Sequence, residues 1–295
     1  MRADAIGRSV AVVTPTSPPL STPDRSAREA RVHLEPPPAT LARTFWFGWV
    51  ATWSLLWTAI LSPLLVLESA FRPTAETFVR WMRPWARLVL GGIGVRQHVV
   101  QRGEAPSGPV VYVSNHQSSL DIPATASAIP SPFLYVARSE LRSWPFVGWV
   151  LERSACLFID RDNPRSALES LRVAAGRVRS GESVLIFPEG GRSYRHGLDP
   201  FMRGSFVLAI EAGVPVVPVV LVGHIGVVDE RVRAARPGTV VCVLCEPVPT
   251  DGMRRRDAGE LCDRVRAAIE DEMRRFEAAP AAGPQRAPEY LAGRP

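Results

Sequence analysis

The stretch Asn115-His116-Gln117-Ser118-Ser119-Leu120-Asp121 places an imidazole and a carboxylate five residues apart. A carboxylate on one ring nitrogen fixes the imidazole tautomer and stabilises the imidazolium that forms when the ring takes a proton. The pair is therefore a candidate general base with its orienting partner. At about 100° per residue the two positions fall on different faces of a regular helix, so a direct hydrogen bond needs a turn between them. Gln117, Ser118 and Ser119 are turn and N-cap residue types, which predicts His116 in a loop and Asp121 in the first turn of a helix. Taken alone, such a spacing is more often a surface histidine beside a capped helix. Its weight comes from two further clusters.

Each cluster follows a short apolar run that reads as a buried strand. Residues 110–113 lead into His116; Cys156-Leu157-Phe158-Ile159 ends in Asp160-Arg161-Asp162-Asn163-Pro164; Val184-Leu185-Ile186-Phe187 ends in Pro188-Glu189-Gly190-Gly191-Arg192-Ser193. Parallel strands would gather these termini on one sheet edge, where open α/β sheets bind ligands, and His116 is then expected to face Arg161 and Arg192. Two guanidinium groups suit bidentate recognition of a phosphate, and Gly190-Gly191 lets backbone approach a ligand closely.

The elements that must position these residues are legible in the apolar pattern. Strands are predicted at 95–101, 110–113, 133–136, 156–159, 184–187, 216–222 and 240–245, alternating with helices that include 165–179 and 204–212. The alternation predicts an α/β domain with a mixed, largely parallel sheet flanked by helices, covering residues 91–276. Its last helix, residues 257–276, places Leu261, Val265, Ile269 and Met273 at four-residue spacing as an amphipathic cover. Residues 277–295 are a Pro/Ala-rich tail. Residues 1–43, rich in Pro, Ala, Ser and Arg, are expected to be a disordered N-terminal tail.

Between the tail and the α/β domain, residues 44–90 are expected to form a membrane-associated helical hairpin. Residues 44–67 carry no charge and would extend roughly 36 Å as a helix, enough for a hydrocarbon core of about 30 Å. Ser62-Pro63 is expected to kink the run, and Trp46, Trp49, Trp53 and Trp57 are residues that favour the membrane interface. Four arginines precede the run from Arg25 onwards and four follow it as far as Arg87, which leaves spanning and dipping in both open and suits a hairpin with both ends on one side. Residues 74–90 set Phe78, Trp81, Met82, Trp85, Leu88 and Val89 on one face and Arg80, Arg83 and Arg87 elsewhere, the pattern of an interfacial amphipathic helix and, nearly as well, of a helix buried in the core.

The formal net charge is +6, and every basic residue is arginine. This charge fits an anionic partner of any class, but no base-reading motif accompanies it, and Trp-rich apolar helices argue against nucleic acid. The four cysteines, Cys156, Cys242, Cys245 and Cys262, are too few and scattered for a disulfide framework. Cys242 and Cys245 lie on a β-branched run where residues three apart point to opposite faces, so neither a metal nor a disulfide is expected between them. No other metal-ligand constellation is apparent either.

Asn115-His116 to Asp121, Phe158-Ile159-Asp160-Arg161, Phe187-Pro188-Glu189-Gly190-Gly191-Arg192-Ser193 and Val214-Pro215-Val216-Val217-Pro218 resemble the four ordered motifs of the glycerolipid acyltransferases. The resemblance covers roughly residues 90–250 and is nearest to the 1-acylglycerol-3-phosphate acyltransferases. It implies that His116 and Asp121 are catalytic, and that Asn115, Arg161, Glu189, Gly190, Gly191 and Arg192 bind substrate, with Pro215 shaping the site. It also implies acyl-CoA or acyl carrier protein as co-substrate with no cofactor or metal, and a membrane lysophospholipid as acceptor. The expected place is the cell membrane, with the catalytic domain on its cytoplasmic face. Gly191 stands where the family has threonine. The same chemistry on another acceptor, such as a lyso-ornithine lipid, and a non-catalytic lipid-binding protein are the rival readings.

Overall fold

The structure is a computed structural model, which describes residues 33, 35–143, 147–153, 156–159 and 164–277. The Pro/Ala-rich tail from 278 and most of residues 1–34 lie outside the described residues. So do Asp160 and Arg161.

Seven strands form one sheet in the order β1-β9-β6-β2-β5-β3-β4. These are β1 (Val95–Gln101), β2 (Val111–Ser114), β3 (Phe133–Arg138), β4 (Leu157–Ile159), β5 (Ser183–Ile186), β6 (Val216–Val222) and β9 (Gly238–Leu244). A small two-stranded ladder, β7 (Val228–Asp229) with β8 (Ala234–Ala235), stands beside it. All pairings in the large sheet are parallel except β6 with β9. All seven residues of β6 are buried, as expected for a central strand covered on both faces, which is why it reads as an unbroken apolar run. The sheet is therefore α/β, mixed and largely parallel, as the apolar runs predict.

Seven helices accompany the strands among the described residues: α1 (Leu41–Ser69), α2 (Ala75–Gly92), α3 (Asp121–Ala128), α4 (Val147–Arg153), α5 (Pro164–Arg179), α6 (Gly204–Ala212) and α7 (Ala258–Glu277). On α7, the predicted stripe of Leu261, Val265, Ile269 and Met273 is buried in the main core. The short α4 is not visible in the apolar pattern, because Trp144 and Pro145 precede it and its own sequence carries no periodic stripe.

The N-terminal segment differs from the sequence reading in four respects. Residues 35–40 already belong to the fold: Pro37 is buried, the Glu35 carbonyl accepts a hydrogen bond from Arg236, and Thr40 caps α1. The helix then runs through Pro63 without a break. Two of the tryptophans expected at a membrane interface instead hold α1 to α2. Trp49 Nε1 donates to the Gly92 carbonyl at 3.0 Å and Trp53 Nε1 to the Leu88 carbonyl at 2.8 Å, while Trp85 Nε1 on α2 answers to Thr58 Oγ1 at 3.0 Å. Finally, the apolar face of α2 points into the protein rather than towards lipid. Phe78, Val79, Ala86, Val89 and Leu90 are buried, and Phe78 and Val79 belong to the same core as the sheet. No structural boundary falls at residue 90.

The outer face of α1 is the apolar surface that remains. Leu41, Phe45, Leu55, Leu56, Ile60, Leu64 and Leu67 are exposed, and α1 is long and apolar enough to cross a membrane. A row of this kind on a soluble surface would be a liability, so it marks an interaction site. A second apolar cluster, joining Val89, Leu90 and Ile93 to Leu120, Val227 and Val228, packs against Trp46, Val50, Trp53 and Trp85 and locks the hairpin to the loops that carry His116 and Asp121.

Candidate active site

The β2 strand ends at Ser114, and the next residues leave the sheet at its carboxyl edge. Asn115 is fully buried there. Its carboxamide donates to the Leu221 carbonyl at 2.9 Å and accepts from the Leu221 N–H at 2.8 Å, extending the β2–β6 ladder through a side chain. Both ends of the amide are thus engaged, and Asn115 is not among the residues lining the cavity described below, although substrate contact is expected of it.

His116 follows in the loop and Asp121 opens α3. The His116 ring stacks on Phe187 with centroids 4.1 Å apart, and its Nδ1 lies 2.7 Å from Asp121 Oδ2. The turn between them is built by Asp121 itself. Its Oδ2 also accepts the backbone N–H groups of Gln117 at 2.6 Å and Ser118 at 3.0 Å, so the helix starts without a serine cap. Ser118 Oγ instead donates to the Val228 carbonyl at 2.9 Å. Burial raises the pKa of Asp121, but hydrogen bonds from His116 and from His224 outweigh it and hold the carboxyl well below the ordinary range. An ionised carboxylate is an acceptor only, so the contact proton sits on His116 Nδ1, and in the neutral ring Nε2 then carries the lone pair that can face substrate.

His224 is the residue that the sequence reading misses. Its Nδ1 stands 2.5 Å from Asp121 Oδ1, and both side chains are fully buried. The available signal was its position, two residues past the carboxyl end of β6, on the same sheet edge as the loops that follow β2 and β5.

Glu189, from the loop after β5, reaches the same place. Its Oε1 accepts the His116 N–H at 2.7 Å and its Oε2 the Asp199 N–H at 2.8 Å. Both oxygens therefore hold backbone, and the expected contact with an acceptor phosphate is not needed to explain the residue. Burial pushes its carboxyl up to about 7, against the two N–H bonds that pull it down. Ser193 N completes the link between the loops by donating to the His116 carbonyl at 2.8 Å. Gly190 has φ +81°, a conformation that favours glycine, and Gly191 has open space where a Cβ would lie. Arg192 Nη1 is 3.4 Å from Glu230 Oε1, and its guanidinium sits 5.1 Å from the Tyr194 ring centroid. Pro215 precedes β6 at the end of the sheet away from His116, so it bears on the site only through the register that brings Leu221 to Asn115.

A cavity of about 840 Å³ opens at this edge, within the roughly 300–1,000 Å³ of ligand pockets. His116, Gly190, Gly191 and Arg192 line one part of it; Val50, Leu61 and Leu65 of α1 and Phe78, Met82 and Trp85 of α2 line another. A polar reaction centre thus shares one space with an apolar channel walled by the N-terminal hairpin. His116, Asp121 and His224 are residue types of metal sites, but both imidazoles direct Nδ1 at the carboxylate. Among the described residues no group of His, Cys, Asp or Glu converges to hold a cation.

A family model described as Acyltransferase matches residues 95–222. The 1-acyl-sn-glycerol-3-phosphate acyltransferase of Saccharomyces cerevisiae is 30% identical over 207 residues, covering 68% of this chain and 68% of the relative. The lyso-ornithine lipid O-acyltransferase of Pseudomonas aeruginosa is 31% identical over 217 residues, covering 67% of this chain and 78% of the relative. This chain belongs to the glycerolipid acyltransferase family. As an acyltransferase it also shares its fold with the crystal structure of the 1-acyl-sn-glycerophosphate acyltransferase PlsC from Thermotoga maritima, at a TM-score of 0.65 and 23% identity, covering 81% of this chain and 96% of that one. Cys242 and Cys245 of this acyltransferase stand apart from the reaction centre in chemistry: burial raises the thiol pKa of Cys242, and that of Cys245 to about 12, leaving both as inert thiols.

Proposed function

We propose that this acyltransferase moves a fatty acyl group from an acyl thioester, acyl-CoA or acyl carrier protein, to the free hydroxyl of 1-acylglycerol 3-phosphate, giving phosphatidic acid. The reading rests on one observation: His116, backed by Asp121, stands in the same cavity as Arg192 and as an apolar channel walled by α1 and α2. In this account His116 Nε2 takes the hydroxyl proton as that oxygen attacks the thioester carbonyl. The new C–O bond forms, the C–S bond breaks, and the proton passes to the departing thiolate. No acyl-enzyme is required, since holding two substrates beside a base supplies both proximity and proton transfer. Arg192, with Arg161, binds the acceptor phosphate, while Glu189 and Asn115 position the loops. The exposed apolar face of α1 seats the enzyme in a membrane, with the α/β domain on the cytoplasmic side, so that amphiphilic acceptor and product need not leave the bilayer.

A second acceptor class is favoured by Glu230. Its carboxylate lies beside Arg192 and weakens the local positive field, which suits an acceptor that brings an ammonium group as well as an anion, such as a lyso-ornithine lipid. The purified chain in liposomes, given a labelled acyl-CoA, separates these readings by product. Phosphatidic acid from lysophosphatidic acid supports the first. Acylated ornithine lipid alone supports the second, and thioester consumption with neither acceptor overturns both. A lipid carrier without catalysis would release no thiol.

A further inference from the structure

His224 enters the site from outside the four motifs. Gly223, with φ +86°, turns the chain away from β6, and the His224 carbonyl then accepts the N–H groups of Val227 and Val228, both at 3.0 Å. This short turn carries Val228, whose carbonyl accepts from Ser118 Oγ, so the His224 loop and the His116 loop are tied together. Because Asp121 accepts only, the shared proton lies on His224 Nδ1. Its Nε2 is buried and has no hydrogen-bond partner among the described residues, so a proton placed there would be an unsatisfied donor.

The donors are unevenly shared over the carboxylate. Oδ2 receives His116 Nδ1, Gln117 N and Ser118 N, whereas the hydrogen bond seen at Oδ1 is that from His224. Rotation about Cβ–Cγ carries both oxygens together, so the three donors on Oδ2 set the carboxylate's torsion and the His224 N–H on Oδ1 stiffens it from the opposite side. We propose that His224 is a positioning residue for acyl transfer: by holding Oδ1 it fixes the Asp121 carboxylate, which in turn fixes the His116 ring with Nε2 free for the acceptor hydroxyl. The inference rests on the reading of His116 as the base. An N–H on Oδ1 also draws negative charge away from the face turned to His116.

Other titratable groups facing Asp121 are Tyr135, Cys242 and Glu189. Burial raises the pKa of Tyr135 and of Cys242 far above neutrality, so Glu189 alone of these three titrates near pH 7. It is unchanged in the comparison below and cancels when variants are set against the wild type.

The test uses the full chain in liposomes with His224→Leu, His224→Asn, His224→Gln and His116→Ala. The Asn amide N–H overlays the position of His Nδ1, whereas the Gln amide overlays Nε2. For His224→Leu the expected result is a fall in kcat of tenfold or more. KM for both substrates stays within twofold, and the acid limb of the kcat profile moves up by half a pH unit or more. His224→Asn recovers kcat to within threefold of wild type and His224→Gln does not. A smaller effect of Leu, or a loss that Asn fails to restore, overturns the inference. If the Leu variant does not fold, the Asn and Gln variants decide it: equal activity in the two overturns it, and Asn active with Gln impaired supports it. Turnover retained by His116→Ala would instead remove the parent reading, whatever the His224 series does.

Discussion

Glu189→Gln is expected to change how stability depends on pH. The carboxylate bridges the N–H groups of His116 and Asp199, and burial lifts its pKa from the ordinary value near 4.5 to about 7. In the unfolded chain the group ionises at its ordinary value. Between there and about 7 the folded chain keeps a proton that the unfolded chain has lost, so this contribution is fully present below the lower value and fades as pH rises through the upper one. Each pH unit of that window is worth about 1.4 kcal/mol, which sets the whole effect at about 3 kcal/mol. Glutamine cannot titrate, and its amide must turn one N–H towards a backbone N–H that now lacks an acceptor. Urea unfolding of both proteins in one mild detergent from pH 4 to pH 8 cancels the other groups. The advantage of wild type over the variant should shrink by about 3 kcal/mol across that range. A difference constant to within about 1 kcal/mol would refute the burial argument for this carboxyl.

Three further outcomes follow from contacts elsewhere in the site. Asn115→Leu leaves the Leu221 N–H and carbonyl without side-chain partners in a dry strand end, and should lower unfolding free energy by about 2–6 kcal/mol. Gly92→Ala puts a Cβ 2.0 Å from Trp53 Nε1; the overpacking should cost about 1–3 kcal/mol and be visible as a lower Tm, and an unchanged Tm would show that the α1–α2 seam is not packed as described. Arg192→Ala should raise KM for a phosphate-bearing acceptor by about ten- to a hundredfold, as loss of one charge-assisted hydrogen bond implies, with KM for the acyl donor unchanged in steady-state assays.

The parts of this fold that were legible in the sequence are those fixed by local apolar pattern. The run from Val216 to Val222 is buried on both faces and ends where it was expected, and the four-residue stripe on α7 packs inward. The turn between His116 and Asp121 was likewise readable, because five residues at helical pitch exclude a direct contact without one. What escaped depends on partners distant in the chain. His224 meets Asp121 across 103 positions, and a histidine after a Gly carries no periodic signal. Trp49 and Trp53 have the composition of a membrane belt, yet the carbonyls at the end of α2 need donors and lie within reach. The arginine-flanked face of α2 satisfies a membrane pattern and a core pattern equally, and only the sheet beneath it decides between them. Asn115 and Glu189 sit in motifs beside His116, Gly190, Gly191 and Arg192, which line the cavity; their own side chains hold backbone, a distinction that spacing does not encode.

If His116 takes the acceptor proton, its loss must show in the acyl-transfer step itself. Pre-steady-state transfer by His116→Ala, with the liposome-bound protein, a labelled acyl-CoA and lysophosphatidic acid, should then slow by about 10²–10⁴ with unchanged circular dichroism and unchanged acceptor binding. A variant that keeps its fold and transfers acyl groups within about tenfold of wild type would mean that His116 is not the base.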